Sequence, residues 1–129
     1  MNICIDTNAY SEFKRGKLEV VSLFEEASNI IVPTIVIGEL YAGFYIGTQS
    51  SRNIRELQEF LDQVGLELKA PDNEIAERYG IIVSDLKKKG TPIPTNDIWI
   101  AATALETGSR LVTYDNHFDL IPGLIILSP

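Results

Sequence analysis

The segment Ile3-Cys4-Ile5-Asp6-Thr7-Asn8 decides the fold, because it joins an apolar run directly to a helix-capping sequence. The run from Met1 to Ile5 predicts a short buried strand. Asp, Thr and Asn side chains cap the first turn of a helix, so we expect a helix to follow the strand at once. A strand buried on both faces is typical of a parallel sheet that helices cover on both sides.

The rest of the chain repeats this alternation of short strands and helices. Pro33 is tolerated in the first turn of a helix, and the lysines before Gly90 are typical of a helix C-terminus. The patterns predict strands over 29–32, 65–68, 110–114 and 124–127, helices over 18–27, 33–45, 53–64, 73–89 and 96–106, and a stiff loop over 91–95. We therefore expect an α/β fold, a three-layer α/β/α sandwich with a mainly parallel central sheet, in which residues 1–129 form a single domain.

The composition excludes several classes of protein. Hydrophobic residues make up 45% and charged residues 22% of the chain, which excludes a disordered chain. No apolar run approaches the roughly 18–20 residues of a membrane span, and the N-terminus lacks the features of a signal peptide, so we expect a cytoplasmic protein. Cys4 and His117, the only cysteine and the only histidine, are too few for a structural zinc site.

The formal net charge of −7 bears on the choice of partner. A protein that binds nucleic acid normally presents a basic surface to the phosphates. Three explanations stay open for an acidic one. Bound divalent cations supply positive charge locally, a basic partner covers an acidic face, or the acidity serves solubility alone.

Four acidic residues stand where a parallel sheet would gather them. Asp6 and Asp115 each follow a predicted strand, and ligands bind beyond the carboxyl ends of such strands. Asp97 lies in the first turn of a predicted helix, and Glu39 lies among apolar neighbours. Taken singly, each acid has an ordinary structural explanation: a helix cap, a turn residue or an outward-facing side chain.

Taken together, the acids predict a metal site. Carboxylates among apolar residues are costly unless they are paired or bind a metal ion, and lysine and arginine fall mainly at predicted loops and helix ends. A divalent cation would relieve the repulsion between converging acids. Ligation by oxygen alone indicates Mg²⁺ or Mn²⁺.

Four blocks of sequence extend this interpretation along nearly the whole chain. They are IDTN at 5–8, PTIVIGELYAG at 33–43, PIPTNDIWIAA at 92–102 and LVTYDNHF at 111–118. In their order and spacing, the blocks resemble the PIN-domain family, and specifically the VapC-type toxin ribonucleases of toxin–antitoxin pairs.

The resemblance implies an activity and assigns residues to it. It implies two-metal hydrolysis of RNA phosphodiester bonds, which leaves 5′-phosphate and 3′-hydroxyl ends. The metal-binding acids would be Asp6, Glu39, Asp97 and Asp115, with Asp6 as the bridging ligand because it ends the presumed central strand. Residues that orient these acids or the substrate would be Thr7, Asn8, Asn96 and Thr113. His117 is expected to be structural or exposed, and Asp119 is left without a role.

The resemblance also implies partners. The substrate would be RNA, whose backbone could be held by Lys14, Arg15, Lys17, Arg52 and Arg55, although any one of these could be a solvated surface charge. The second partner would be an antitoxin with a basic segment that places an Arg or Lys among the carboxylates. Its docking anchors would include some of Phe13, Tyr41, Phe44 and Tyr45. The family further implies a homodimer.

Two other functions compete with this interpretation. A receiver-like signalling domain also has an acidic Mg²⁺ pocket, but it needs a second acid beside the first-strand aspartate, where this chain has Thr7 and Asn8. A catalytically silent PIN-like binding module would have lost one or more of the acids, and all four are present.

Overall fold

The computed structural model describes all 129 residues and contains six helices and five strands. Along the chain the elements are β1 (Asn2–Ile5), α1 (Thr7–Lys14), α2 (Leu18–Glu26), β2 (Asn29–Pro33), α3 (Thr34–Ile46), α4 (Ser50–Leu61), β3 (Leu66–Lys69), α5 (Asn73–Lys89), α6 (Thr95–Glu106), β4 (Arg110–Val112), a 3₁₀ turn (Asn116–Leu120) and β5 (Ile126–Leu127). The five strands form one sheet, and every neighbouring pair is parallel. The expected α/β fold with a parallel central sheet is confirmed.

Burial along β1 shows that both faces of the sheet are covered. Ile3, Cys4 and Ile5 are each 0% exposed, although successive side chains of a strand point to opposite faces. In β2 the three consecutive residues 30–32 are buried as well. Helices therefore pack on both sides of the sheet, as the apolar run at the start of the sequence predicts.

The strand order β3-β2-β1-β4-β5 places β1 at the centre. The chain builds the sheet outward from β1 through β2 to β3, and later returns to the other side of β1 with β4. In such a sheet the crevice for ligands lies at the carboxyl ends of the strands where the order reverses, which here are β1 and β4. Asp6 follows β1 directly, and the segment 113–115 follows β4 directly.

Several element bounds differ from the sequence prediction. Helix α4 begins at Ser50 and ends at Leu61, so the predicted bounds 53–64 are wrong at both ends, and Val64 lies beyond the helix and is fully exposed. Helix α6 begins at Thr95 instead of Asn96, and β4 ends at Val112 instead of Tyr114.

None of the helices is long and apolar enough to span a lipid bilayer.

Candidate active site

Asp6 is held in place by both of its carboxylate oxygens. It is the N-cap of α1, where its Oδ1 accepts a hydrogen bond from the backbone N–H of Ala9 at 2.8 Å. Its Oδ2 accepts a hydrogen bond from the hydroxyl of Thr113 at 2.5 Å. Asp6 and Thr113 are both buried. The side chain that ends the central strand is therefore fixed between α1 and the end of β4.

Glu39, on α3, accepts hydrogen bonds from two other segments of the chain. The hydroxyl of Thr7 donates to Glu39 Oε1 at 2.6 Å, and the side-chain amide of Asn96 donates to Glu39 Oε2 at 3.4 Å. These contacts bring α3 together with the first turns of α1 and α6. Thr7 and Asn96 each directly follow or precede a predicted metal ligand, so they tie Glu39 to the segments that carry Asp6 and Asp97.

Asp97 and Asp115 meet at the ring of His117. The His117 Nδ1 lies 3.2 Å from Asp97 Oδ2 and 3.2 Å from Asp115 Oδ1. Asp115 also caps the 3₁₀ turn, because its Oδ1 accepts the backbone N–H of His117 at 2.9 Å. The backbone N–H of Asp115 donates to the hydroxyl of Thr113 at 3.0 Å, which links Asp115 back to Asp6.

These contacts form a closed ring around the four predicted acids. It runs from Asp6 through Thr113, Asp115, His117, Asp97, Asn96, Glu39 and Thr7 back to Asp6 along hydrogen bonds and chain neighbours. Four separate segments of the chain contribute to it. No lysine or arginine forms an ion pair with any of the four carboxylates. His117 is therefore the only residue in contact with them whose side chain can carry a positive charge.

Burial is the main cause of the raised pKa values in the ring, and the neighbouring acids add to it. Burial raises the pKa of Asp6, and the charges of Asp97 and Asp115 raise it further, against the lowering effect of the hydrogen bonds from Thr113 and Ala9. Burial also raises the pKa of Asp97. There the hydrogen bond from His117 acts in the opposite direction, while the charges of Asp115 and Glu39 add to the rise. The acids therefore interact electrostatically although some of them do not touch.

The donor set of the ring fits a hard divalent cation. Four carboxylates offer oxygen ligands of the kind that Mg²⁺ and Mn²⁺ accept. The ligand atoms of Asp97, Asp115 and His117 all lie within 4.8 Å of one another, a spacing that one ion can bridge. The like-charge repulsion in the ring would be relieved by such an ion.

Among the other predicted site residues, Asn8 stands apart from the ring. Its side chain is exposed on α1 and forms no hydrogen bond, whereas Thr7, Asn96 and Thr113 each contact an acid. The sequence also did not predict that His117 contacts two of the acids. The sequence did contain a sign of this contact. His117 stands two residues after Asp115, and an Asp that caps a turn can reach a side chain of that turn.

Three of the predicted RNA-binding residues share one cleft. Lys14, Arg15 and Arg52 line a cleft of about 370 Å³ between α1, α3 and α4. Glu56 forms ion pairs there with Lys14 at 3.6 Å and with Arg52 at 3.2 Å.

The remaining two basic residues lie elsewhere. Arg55 is exposed outside the cleft. Lys17 places its Nζ 4.1 Å from the centre of the Tyr114 ring, in a cation–π contact. Neither residue therefore belongs to the basic lining of the cleft.

The predicted docking anchors divide into core and surface residues. Phe13 stacks on Phe24 with ring centroids 4.7 Å apart and packs against the hydrophobic core. Tyr41 and Phe44 are half-buried and also pack against the core, whereas Tyr45 is 68% exposed. Of the four, Tyr45 alone presents most of its side chain to a partner.

The similarity to known proteins extends over nearly the whole chain. Residues 3–124 match the family model described as PIN domain. Ribonuclease VapC2 of Haemophilus influenzae is 35% identical over 111 residues, which cover 84% of this chain and 83% of that protein. Ribonuclease VapC4 of Mycobacterium tuberculosis is 28% identical over 97 residues, which cover 75% of each chain.

Solved structures are similar over nearly the whole length. A chain in the crystal structure of VapBC2 from Rickettsia felis, bound to a DNA fragment from their promoter, matches with a TM-score of 0.87 at 27% identity and covers 98% of both chains. A chain of VapBC-1 from nontypeable Haemophilus influenzae matches with a TM-score of 0.86 at 25% identity, over 99% of this chain and 98% of that one. The family-model match over residues 3–124 includes all four acids.

Proposed function

The chain belongs to the PIN-domain family, in the group of the VapC ribonucleases, and from this premise we propose that it is a metal-dependent endoribonuclease and the toxin of a toxin–antitoxin pair. Residues 1–129 would act as one nuclease domain, located in the cytoplasm. The cofactor would be Mg²⁺, with Mn²⁺ as an alternative. The substrate would be an RNA phosphodiester bond.

One observation carries the proposal: four carboxylates from four segments belong to one ring of contacts, in which Asp97 and Asp115 approach His117 directly while Asp6 and Glu39 are linked through Thr113, Thr7 and Asn96, and none of the four forms an ion pair with a lysine or arginine. Converging like charges are unfavourable in a folded protein unless something compensates them. A structural role for the acids would be expected to include ion pairs with basic residues. A site that binds cations explains why those partners are missing.

The ring residues have separate tasks in this proposal. The cation would be held by Asp6, Glu39, Asp97 and Asp115. A bound divalent cation supplies positive charge and Lewis acidity at the scissile phosphate. Thr113 fixes Asp6, and Thr7 and Asn96 fix Glu39, so these three neutral residues hold the two carboxylates in place.

The basic cleft is the proposed path of the RNA backbone. Lys14, Arg15 and Arg52 line the cleft between α1, α3 and α4, and two of these helices, α1 and α3, also carry Thr7 and Glu39 of the ring. Glu56 partly neutralises Lys14 and Arg52, and Glu12 pairs with Arg15, so a phosphate could replace either carboxylate as the partner. Each substitution that removes one phosphate-binding side chain should flatten the dependence of log Kd on log salt by about 0.7 for single-stranded RNA.

A basic antitoxin is the proposed protein partner. The net charge of −7 favours a partner of opposite charge, and several solved relatives are VapBC assemblies. A segment that places an Arg or Lys over the ring would supply the charge that the four acids lack. We propose a homodimer on the ground of family membership alone.

Cleavage of RNA by the purified protein tests the enzymatic function. We expect activity to stop in EDTA and to return with Mg²⁺ or Mn²⁺ but not with Ca²⁺, which prefers longer bonds and looser geometry. Asp115→Asn should reduce the rate by about a hundredfold or more. Asp119→Asn is the matched control, because Asp119 is an exposed acid of the same turn without contact to the ring. Equal activity of the two variants would contradict the proposal, as would cleavage that survives EDTA.

A further inference from the structure

Among the residues that form the ring of contacts around the site, His117 is the only one whose side chain is an imidazole. The others carry a carboxylate, a hydroxyl or an amide. His117 is also the only histidine of the chain. Its Nδ1 lies at the same distance, 3.2 Å, from a carboxylate oxygen of Asp97 and one of Asp115. Its backbone is fixed by the cap of the 3₁₀ turn, since the His117 N–H donates to Asp115 Oδ1. The imidazole is thus aimed at a point that two proposed metal ligands share.

These distances also fit ligation of a common centre, in place of the hydrogen bond between His117 Nδ1 and Asp97 Oδ2 at 3.2 Å. A ring nitrogen carries at most one N–H, which Asp97 and Asp115 would have to share in a weaker three-centre bond. A charge-assisted N–H···O bond is typically about 2.7–2.9 Å long, shorter than either contact. Two ligand atoms at adjacent corners of an octahedron, with bonds of about 2.1 Å to the ion, lie about 3.0 Å apart. The spacing of His117 from each acid is close to that value.

We propose that His117 Nδ1 is a ligand, together with Asp97 and Asp115, of one divalent-cation position in the ring, and that it makes this position favour Mn²⁺ over Mg²⁺. This role rests on the proposed function, since it refines the same site. Imidazole nitrogen is a borderline ligand that transition metals bind well. Mg²⁺ binds oxygen and gives up its water reluctantly. Asp6 and Glu39 offer oxygen only, so the preference would arise at the His117 side of the ring.

The direct test uses wild-type protein loaded with Mn²⁺ and pulsed electron paramagnetic resonance. Because the chain has a single histidine, labelling histidine with ¹⁵N changes the imidazole of His117 and no other ring. We expect a nitrogen coupling to Mn²⁺ whose frequency changes when ¹⁵N replaces ¹⁴N. This readout needs neither a substitution nor RNA cleavage.

Substitution then tests the metal preference. His117→Ala should remove the nitrogen coupling and weaken Mn²⁺ binding by about tenfold to a hundredfold, the range found when groups around a metal site are removed. Binding of Mg²⁺ should change by less than about threefold, because it gains little from imidazole. The matched control is Asn116→Ala, an exposed neighbour in the same turn that contacts none of the acids. The control should bind both ions as wild type does.

The possible failures separate this inference from the proposed function. If wild type binds Mn²⁺ but shows no isotope-sensitive nitrogen coupling, His117 is not a ligand and the four carboxylates bind the ion alone. If His117→Ala weakens Mn²⁺ and Mg²⁺ equally, the metal preference is wrong. If wild type binds neither ion and its cleavage of RNA survives EDTA, the proposed function and the role of His117 are both overturned.

Discussion

Asp6 and Asp72 occupy the same position at the start of two helices, yet their environments affect them in opposite ways. Each is an N-cap whose Oδ1 accepts the backbone N–H three residues later, at 2.8 Å for Asp6 and 2.9 Å for Asp72. The hydrogen bond from Ile75 lowers the pKa of Asp72, and Lys69, 3.5 Å away, lowers it further. Burial and neighbouring acids raise the pKa of Asp6 instead.

The difference lies in tertiary placement and not in the helix cap. Asp72 is exposed at the start of α5 and lies 3.5 Å from the ammonium group of Lys69 at the end of β3, so its negative charge stabilises the fold. Asp6 lies buried at the end of the central strand, where the nearest charged groups are further carboxylates. A cap alone explains Asp72. The burial of Asp6 among further carboxylates is consistent with the proposed role as a ligand of a cation from outside the chain.

The largest expected difference between the two caps is in RNA cleavage. Asparagine also caps helices, and the hydroxyl of Thr113 can accept a hydrogen bond as well as donate one. Asp6→Asn should therefore keep the fold but lose the ligand charge, and cleavage should fall by orders of magnitude. Asp72→Asn should cleave at the wild-type rate. Circular dichroism of both variants checks the fold, and equal rates would mean that Asp6 is only a cap.

The next effect is the stabilisation of the fold by Mg²⁺. An ion that binds only the folded ring should raise the free energy of unfolding by about 2.7 kcal/mol at a hundredfold excess over its Kd. Asp72→Asn should keep this gain, whereas Asp6→Asn should lose most of it. Thermal melts in EDTA and in millimolar Mg²⁺ measure both. A full Mg²⁺ response in Asp6→Asn would remove Asp6 from the ligand set.

The contact that distinguishes Asp6 from an ordinary cap is the one with Thr113. Thr113→Val replaces the hydroxyl with a methyl group of similar size and leaves Asp6 Oδ2 and the backbone N–H of Asp115 without their partner. We expect a decrease of about 1–3 kcal/mol in the free energy of unfolding, the usual cost of a buried polar group without a partner. Thr113→Ser keeps the hydroxyl and should restore most of the stability. Chemical denaturation compares the variants, and equal stability of the two would contradict the role of the hydroxyl.

Much of the ring was predictable because the rules that place it are local. Asp6 and Asp115 follow apolar runs that form the neighbouring strands β1 and β4, and the carboxyl ends of parallel strands share an edge. The position of Asp97 was predictable because it lies in the first turn of α6, which begins at Thr95. The assignment of all four acids to a metal site remains a prediction, but their convergence needed only strand order and helix starts.

The rest depended on tertiary packing that a sequence pattern does not contain. The contact of His117 with Asp97 spans 20 residues and requires α6 to approach the 3₁₀ turn. The start of α4 was missed because Ser50 and Ser51 supply no apolar periodicity to mark the first turn. Val64 continued the periodic pattern of α4 although the helix had already ended at Leu61.

The sign of a charge-removing substitution in metal-free protein tests most directly whether the ring lacks its own cation. The pKa of Asp97 in the folded protein is raised above its ordinary value. The contribution of Asp97 to the free energy of unfolding is therefore greatest below the pKa of the unfolded chain, and it is lost as pH rises through the folded pKa. In EDTA at pH 7, Asp97→Asn should therefore melt at a higher temperature than wild type. The difference should shrink as pH falls toward 4.

Asp72→Asn is the matched control, with the opposite sign. Its lowered folded pKa means that its charge stabilises the protein above the unfolded pKa, and that this stability is lost as pH falls through the folded pKa. Asp72→Asn should thus melt lower than wild type at pH 7. Melting curves of the three proteins in EDTA, from pH 4 to pH 8, measure both signs. If Asp97→Asn melts lower than wild type at every pH, the charge of Asp97 is compensated within the fold and the four acids do not form a cation site.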